Sequence, residues 1–123
     1  MFRRIIEKPD AWMLWMSPDI NEGLVFQRDY VDAVTYLSAP ISSSTWDHVV
    51  MSFDGSTSKL YLDGVQVDSQ GSPQSVPTNT GVLTIGEAYP GAGEGYGGGL
   101  DELAIYTYGL SAGQVANHYL AGR

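Results

Sequence analysis

The sequence predicts an all-β fold, an antiparallel two-sheet sandwich carrying one short C-terminal helix. Three observations carry that prediction. Apolar and polar residues alternate with period two through Trp46 to Asp68, as a strand with one buried face requires. Turn-forming Gly, Asp, Ser and Pro divide the chain at short intervals into seven or eight β-rich runs. Hydrophobic residues make up 43% and charged residues 16%, the balance of an ordered globular chain. With 123 residues the chain makes one domain, 1–123.

The N-terminal elements come first. Arg4 to Lys8 reads as a strand stopped by Pro9. Ala11 to Met16 is apolar on both faces, Trp12, Leu14 and Met16 against Met13 and Trp15, so it is expected to be covered on both sides, in a sandwich core or at a subunit contact. Gly23 to Arg28 and Val31 to Leu37 form a hairpin turning near Asp29-Tyr30. From Trp46 onward the signals sharpen. Val49, Met51 and Phe53 share one apolar face, with Trp46, His48, Val50 and Ser52 opposite. Asp54 to Ser58 is turn chemistry. Asp63-Gly64, between Lys59–Leu62 and Val65–Val67, predicts a type I′ hairpin, since that turn needs positive φ at both central residues. A three-stranded meander over Trp46 to Asp68 results, and Trp46 beside it is expected to be buried packing.

Ser69 to Thr80, rich in Ser, Gln, Pro and Gly, reads as a loop, and Val82 to Gly86 as a further strand. Gly91 to Gly99 holds six glycines in nine residues and excludes regular structure. Leu100 to Tyr108 resumes the alternation of a strand, Leu103, Ile105 and Thr107 opposite Glu102, Ala104 and Tyr106. A helix follows: Ser111 and Gln114 make a capping box, Val115 and Tyr119 an apolar i,i+4 stripe, and Gly122 a stop. Two packed sheets follow from this series, because a single sheet of this size would leave an apolar face in water.

Composition excludes several functions. Fourteen acidic against six basic residues give a net charge of −8, which repels nucleic-acid phosphates and anionic lipid heads and tolerates neutral sugars and cations. Without cysteine there is no disulfide framework, thiolate metal site or cysteine nucleophile. The longest apolar run, Ala11 to Met16, is far shorter than the roughly 20 residues of a membrane span. Arg3-Arg4 is followed by no apolar signal region. Gly93 to Gly98 matches Gly-x-Gly-x-x-Gly, but a strand rather than a helix is expected after it and Glu94 would repel phosphate, so no dinucleotide site follows. Asp101 and Glu102 are adjacent and on a strand would point to opposite faces, unlike the carboxylate pair of a glycosidase. Nothing favours a serine triad built on His48 or His118.

The string Trp46-x-His48-Val49, the stretch from Phe53 to Ser69, Leu83 to Gly86 and the stretch from Gly97 to Val115 together resemble the laminin-G-like, concanavalin A-like lectin/glucanase superfamily. The resemblance implies a curved jelly-roll sandwich and an extracellular or cell-surface module, usually noncatalytic, that recognises glycans or proteins and often holds calcium. Asp47 stands where that family commonly has a second histidine. The family's opening strands, of Phe-Asp-Gly and Trp-Val-x-Pro type, have no counterpart here, so the domain is read as N-terminally shortened, with open sheet edges. A homodimer that completes those edges is the expected assembly.

Candidate sites cluster about the glycine loop. Tyr89 and Tyr96 offer rings for sugar stacking and Glu94 a polar contact, with a flexible surface loop as the competing reading. Calcium is the candidate cofactor. Asp101 and Glu87, with Glu94, bracket a loop whose bare backbone could add carbonyls, and Asp29, with Asp32, lies in a turn that could approach. Ordinary solvated carboxylates of an acidic protein are the alternative. The expected function is a noncatalytic, lectin-like carbohydrate-binding module. A structural or adhesive module recognising a cell-surface protein comes second, and a glucanase-like hydrolase third.

Overall fold

A computed structural model of the chain describes residues 3–17, 23–28, 35–41, 44–71, 80–87, 91, 93 and 95–122. Among the described residues eight strands run in order: β1 (Arg3–Lys8), β2 (Trp12–Met16), β3 (Leu24–Arg28), β4 (Thr35–Ala39), β5 (Val49–Phe53), β6 (Thr57–Leu62), β7 (Val65–Gly71) and β8 (Thr84–Ile85), followed by α1 (Ala112–Ala121). One sheet has the order β4-β3-β2-β1-β8 and the other β5-β6-β7. Every ladder between these strands is antiparallel. The predicted two-sheet architecture with a C-terminal helix is the one observed.

Side-chain alternation builds three layers. Ile6, Leu14, Leu24, Phe26 and Leu37 from the large sheet meet Leu60 of the small sheet, with Val49, Met51 and Leu62 packed alongside. Ile5 joins Ile6 in this core although the two are neighbours, because the β1–β2 register shifts between Arg4 and Ile6 and the extra residue turns inward. The small sheet's other face presents Tyr61 and Val50 to Leu110 and Val115, seating α1 against it. β2 is covered on both faces as its sequence demands. Leu14 lies in the inner core, while Met13 and Trp15 form a second cluster with Val25 on the outer face.

At one side the two sheets are tied edge to edge. The Tyr36 N–H donates to Gln70 Oε1 (3.1 Å) and the Ser38 N–H to Asp68 Oδ2 (3.0 Å), so side chains of β7 satisfy outward donors of β4. Side-chain caps of this kind protect an edge against pairing with another chain. Between the layers Arg28 is buried, its guanidinium 3.8 Å from the Phe53 ring centroid and its Nε donating to Ser58 Oγ at 3.1 Å.

Several elements differ from the sequence reading. β7 continues through Gly71, where a loop is expected from Ser69, because Ser69 and Gln70 keep pairing with Lys59 and Ser58. β8 is only Thr84–Ile85, since β1 offers it just Ile6 and Glu7. Leu100 to Tyr108 is not a strand: no described strand pairs with it, and both of its faces are exposed. Trp46 is 74% exposed rather than buried. Its neighbour His48 already faces Asp63 at the hairpin turn, so the small sheet ends before it can cover the indole. The capping box at Ser111 and Gln114 is present as predicted. Gly122 caps the helix with φ −87°, in the right-handed rather than the left-handed region. Of the expected hairpin strand Val31 to Leu37, residues 31–34 lie outside the described part, as do 72–79 of the Ser69 to Thr80 loop.

Candidate functional site

The Asp63-Gly64 turn organises one end of the molecule. Asp63 (φ 51°) and Gly64 (φ 82°) adopt the positive φ values of the predicted type I′ turn. The Asp63 N–H donates to the His48 carbonyl at 2.8 Å, and the His48 N–H donates to Asp63 Oδ1 at 2.9 Å. Tyr119 of α1 lies over the turn so closely that a Cβ on Gly64 would stand 3.0 Å from its Cδ1. The same ring meets the His48 imidazole at a centroid distance of 5.8 Å. The Asp-Gly signal thus fixes the hairpin and, through Tyr119, the position of the helix.

From that anchored helix a row of rings extends. Tyr106 lies 5.7 Å from the His118 ring and 5.8 Å from the Tyr108 ring, within the range of specific aromatic contacts. Tyr106 is 43% exposed and Tyr108 58%. All three residues line a cleft of about 2270 Å³ whose walls include Trp46, β5 and the inner face of β2 and β3. Small-molecule pockets measure about 300–1,000 Å³, and this cleft is larger and half open to solvent.

Charge gathers at the Trp46 end. Partial burial, and then the neighbouring Asp63 carboxylate, push the Asp47 carboxyl above its ordinary pKa, with a Thr45 hydrogen bond opposing them. Opposite, Asp101 accepts the N–H of Glu102 at 2.9 Å and stays exposed.

The residues singled out from sequence do not converge. Tyr96 lines the cleft, half-buried against the inner core, and its N–H donates to the Gly86 carbonyl at 2.7 Å. Glu87 is half-buried next to that glycine, at the end of β8. Tyr89, Glu94, Asp29 and Asp32 lie outside the described residues. Among the described residues no three His, Asp or Glu side chains are grouped to hold a metal ion, so Asp101 and Glu87 do not by themselves make a calcium site. No helix of the described structure is long and apolar enough to cross a membrane. Sequence reasoning missed Tyr106, Tyr108 and His118. The i,i+2 spacing of the tyrosines signals a shared side, but not that this side is exposed.

An antiparallel β-sandwich with a helix on its smaller sheet and an aromatic cleft along one side defines the class. The profile of the Laminin_G_3 family, concanavalin A-like lectin/glucanases superfamily, matches residues 2–116. The chain therefore belongs to that superfamily. Among solved structures it is similar to an S-layer domain-containing protein (residues 221–444) from Clostridium thermocellum ATCC 27405, with a TM-score of 0.56 and 21% identity. That similarity covers 91% of this chain but only 58% of the other, and it concerns the fold. No curated protein matches the sequence.

Proposed function

We propose that the chain is a noncatalytic carbohydrate-binding module acting at a cell surface. The observation that carries the reading is the exposed row Tyr108–Tyr106–His118 beside a large, half-open cleft. Flat rings in water gain by covering the apolar C–H faces of pyranose sugars, and rigid aromatics do so at small entropic cost. Trp46, its indole 74% exposed, extends the same lining. A net charge of −8 favours neutral over anionic glycans. The superfamily includes lectins, and the similar fold of an S-layer domain-containing protein supports the cell-surface setting. The noncatalytic part of the proposal draws on the sequence, in which the carboxylates after the glycine loop, Asp101 and Glu102, are adjacent rather than a spaced glycosidase pair.

The test is a glycan array probed with calcium and again with chelator, alongside a reducing-sugar assay on β-glucans. Binding to neutral glycans with no sugar release is expected. Binding lost in chelator would assign calcium a role through residues beyond Asp101 and Glu87. Sugar release above a blank would replace the lectin with a hydrolase. A second reading, an adhesive module that recognises protein, is favoured by one feature, the exposed apolar side chains of Leu103 and Ile105 along the cleft.

A further inference from the structure

We infer, resting on the glycan reading, that Trp46 is a second sugar platform held in place by Gly99. The module then reads an unbranched neutral glycan chain long enough to lie on this indole and on the Tyr106 and Tyr108 rings at once. Trp46 is 74% exposed, more than any other large hydrophobic side chain among the described residues. No other ring packs against it among those residues. An indole left in water offers a wide flat apolar face that a pyranose can cover.

Gly99 keeps the ring there. A Cβ on Gly99 would stand 2.9 Å from Trp46 Cη2 and 3.2 Å from Cζ2, so the benzo edge of the indole rests where a side chain would be. Carbon atoms prefer about 3.5–4.0 Å, and a side chain at this position would push the ring away. The backbone gives no other reason for this glycine. Gly91 (φ 85°) and Gly93 (φ 72°) take positive φ values with nothing within 4 Å of their Cβ positions, as turn glycines do. Gly99 lies outside that region of φ, and what uses its missing side chain is the indole. It is a positioning residue for Trp46.

The two platforms stand apart along one line. The segment after the glycine loop meets Trp46 at Gly99 and the Phe53 carbonyl at Gly109, where a Cβ would be 2.8 Å from the oxygen. The His48–Asp63 bonds continue the line of β5 toward Trp46, and Phe53 ends it. The two contacts therefore lie about a strand apart, ~13 Å for the five residues of β5. Tyr108 adjoins the Gly109 end, with Tyr106 beside it. A single sugar ring is shorter than β5 and covers one platform. A chain of several covers both, and joining the two contacts on one ligand multiplies affinity. Asp47 beside the indole and exposed Asp101, two residues after Gly99, repel anionic chains and offer acceptors to sugar hydroxyls.

The probes are neutral, unbranched cello-, manno- and xylo-oligosaccharides of about two to six units, titrated into the intact chain by calorimetry with acrylamide quenching of tryptophan emission in parallel. At least one series should bind with an affinity that rises about tenfold or more with length, and the bound long chain should shield the exposed indole from the quencher. Trp46→Ala and Tyr106→Ala/Tyr108→Ala should each abolish that gain. Gly99→Ala moves the ring without straining the backbone, and should weaken binding of the longest chain at least about threefold with an unchanged circular dichroism spectrum. Gly97→Ala, whose Cβ would meet nothing within 4 Å, should bind as wild type does. Affinity independent of length, Trp46→Ala indistinguishable from wild type, or Gly99→Ala equal to Gly97→Ala would overturn the inference. In each of these cases sugar still binds, so the glycan reading survives. Binding of none of the three series would overturn the inference as well, and the glycan array then decides the broader reading separately.

Discussion

Replacing Gly64 by alanine tests the contact that sets the helix on the hairpin. Gly64 has φ 82°, where an L side chain costs about 1–2 kcal/mol. The new Cβ would also stand 3.0 Å from Tyr119 Cδ1 and 3.3 Å from its Cβ and Cγ. Carbon atoms prefer about 3.5–4.0 Å, so the ring must yield, and with it α1. Overpacking of that kind adds about 1–2 kcal/mol, giving Gly64→Ala a total near 2–4 kcal/mol.

Gly55 supplies the control. Its φ is 100°, but its Cβ would meet nothing within 4 Å, so Gly55→Ala carries the backbone cost alone. Urea unfolding followed by far-ultraviolet circular dichroism measures both, with stability read from the midpoint at unchanged slope. Gly64→Ala should exceed Gly55→Ala by about 1–2 kcal/mol. In a Tyr119→Ala background that excess should vanish, the signature of two groups in direct contact. Equal costs for the two glycines, or an undiminished cost without Tyr119, would refute the reasoning.

Three further outcomes are expected. Val115→Ala removes two methyl groups from a fully buried site at ~0.8 kcal/mol each plus a cavity cost, less up to about 0.5 kcal/mol regained in helix propensity. The net loss of about 1.5–2.5 kcal/mol should lower the melting temperature by roughly 5–10 °C in a calorimetric scan. Asp54 accepts the N–H groups of Thr57 and Ser56, which hold its carboxyl below the ordinary 3.8. Its contribution is complete above that value and is lost as pH falls through the lowered pKa. The melting gap between wild type and Asp54→Asn should therefore be open at pH 7 and narrow toward pH 2. Tyr106→Ala and Tyr108→Ala, at exposed positions whose ring contacts are lost, should each lower folding stability by no more than about 1.5 kcal/mol in urea titrations.

What the sequence disclosed was local. The Asp63-Gly64 turn, the Val49/Met51/Phe53 face and the Ser111–Gln114 box each depend on residues a few positions apart, and each is present. Pairings between distant segments were less legible. Asp68 and Gln70 read as the end of a strand and the start of a loop, yet they hold β4 to β7. Leu100 to Tyr108 has a strand's alternation without a strand's pairing, and alternation cannot report what lies alongside. Trp46 failed for the same reason, since its exposure depends on where the opposing hairpin turns. For the site, the sequence pointed to the glycine loop, of which Tyr96 proves half-buried, while the exposed rings lie on the segment after it. The placement of His118 beside Tyr106 requires the helix to be docked, which no local pattern specifies.

Affinity electrophoresis in gels cast with neutral soluble polysaccharides, run on wild type and on Tyr106→Ala/Tyr108→Ala, tests the role of the ring row most directly. Wild type should be retarded by at least one neutral polysaccharide, and the double variant should migrate as in a blank gel while keeping its circular dichroism spectrum. Equal retardation of the two proteins, or free migration of wild type in every gel, would contradict a glycan site built on these tyrosines.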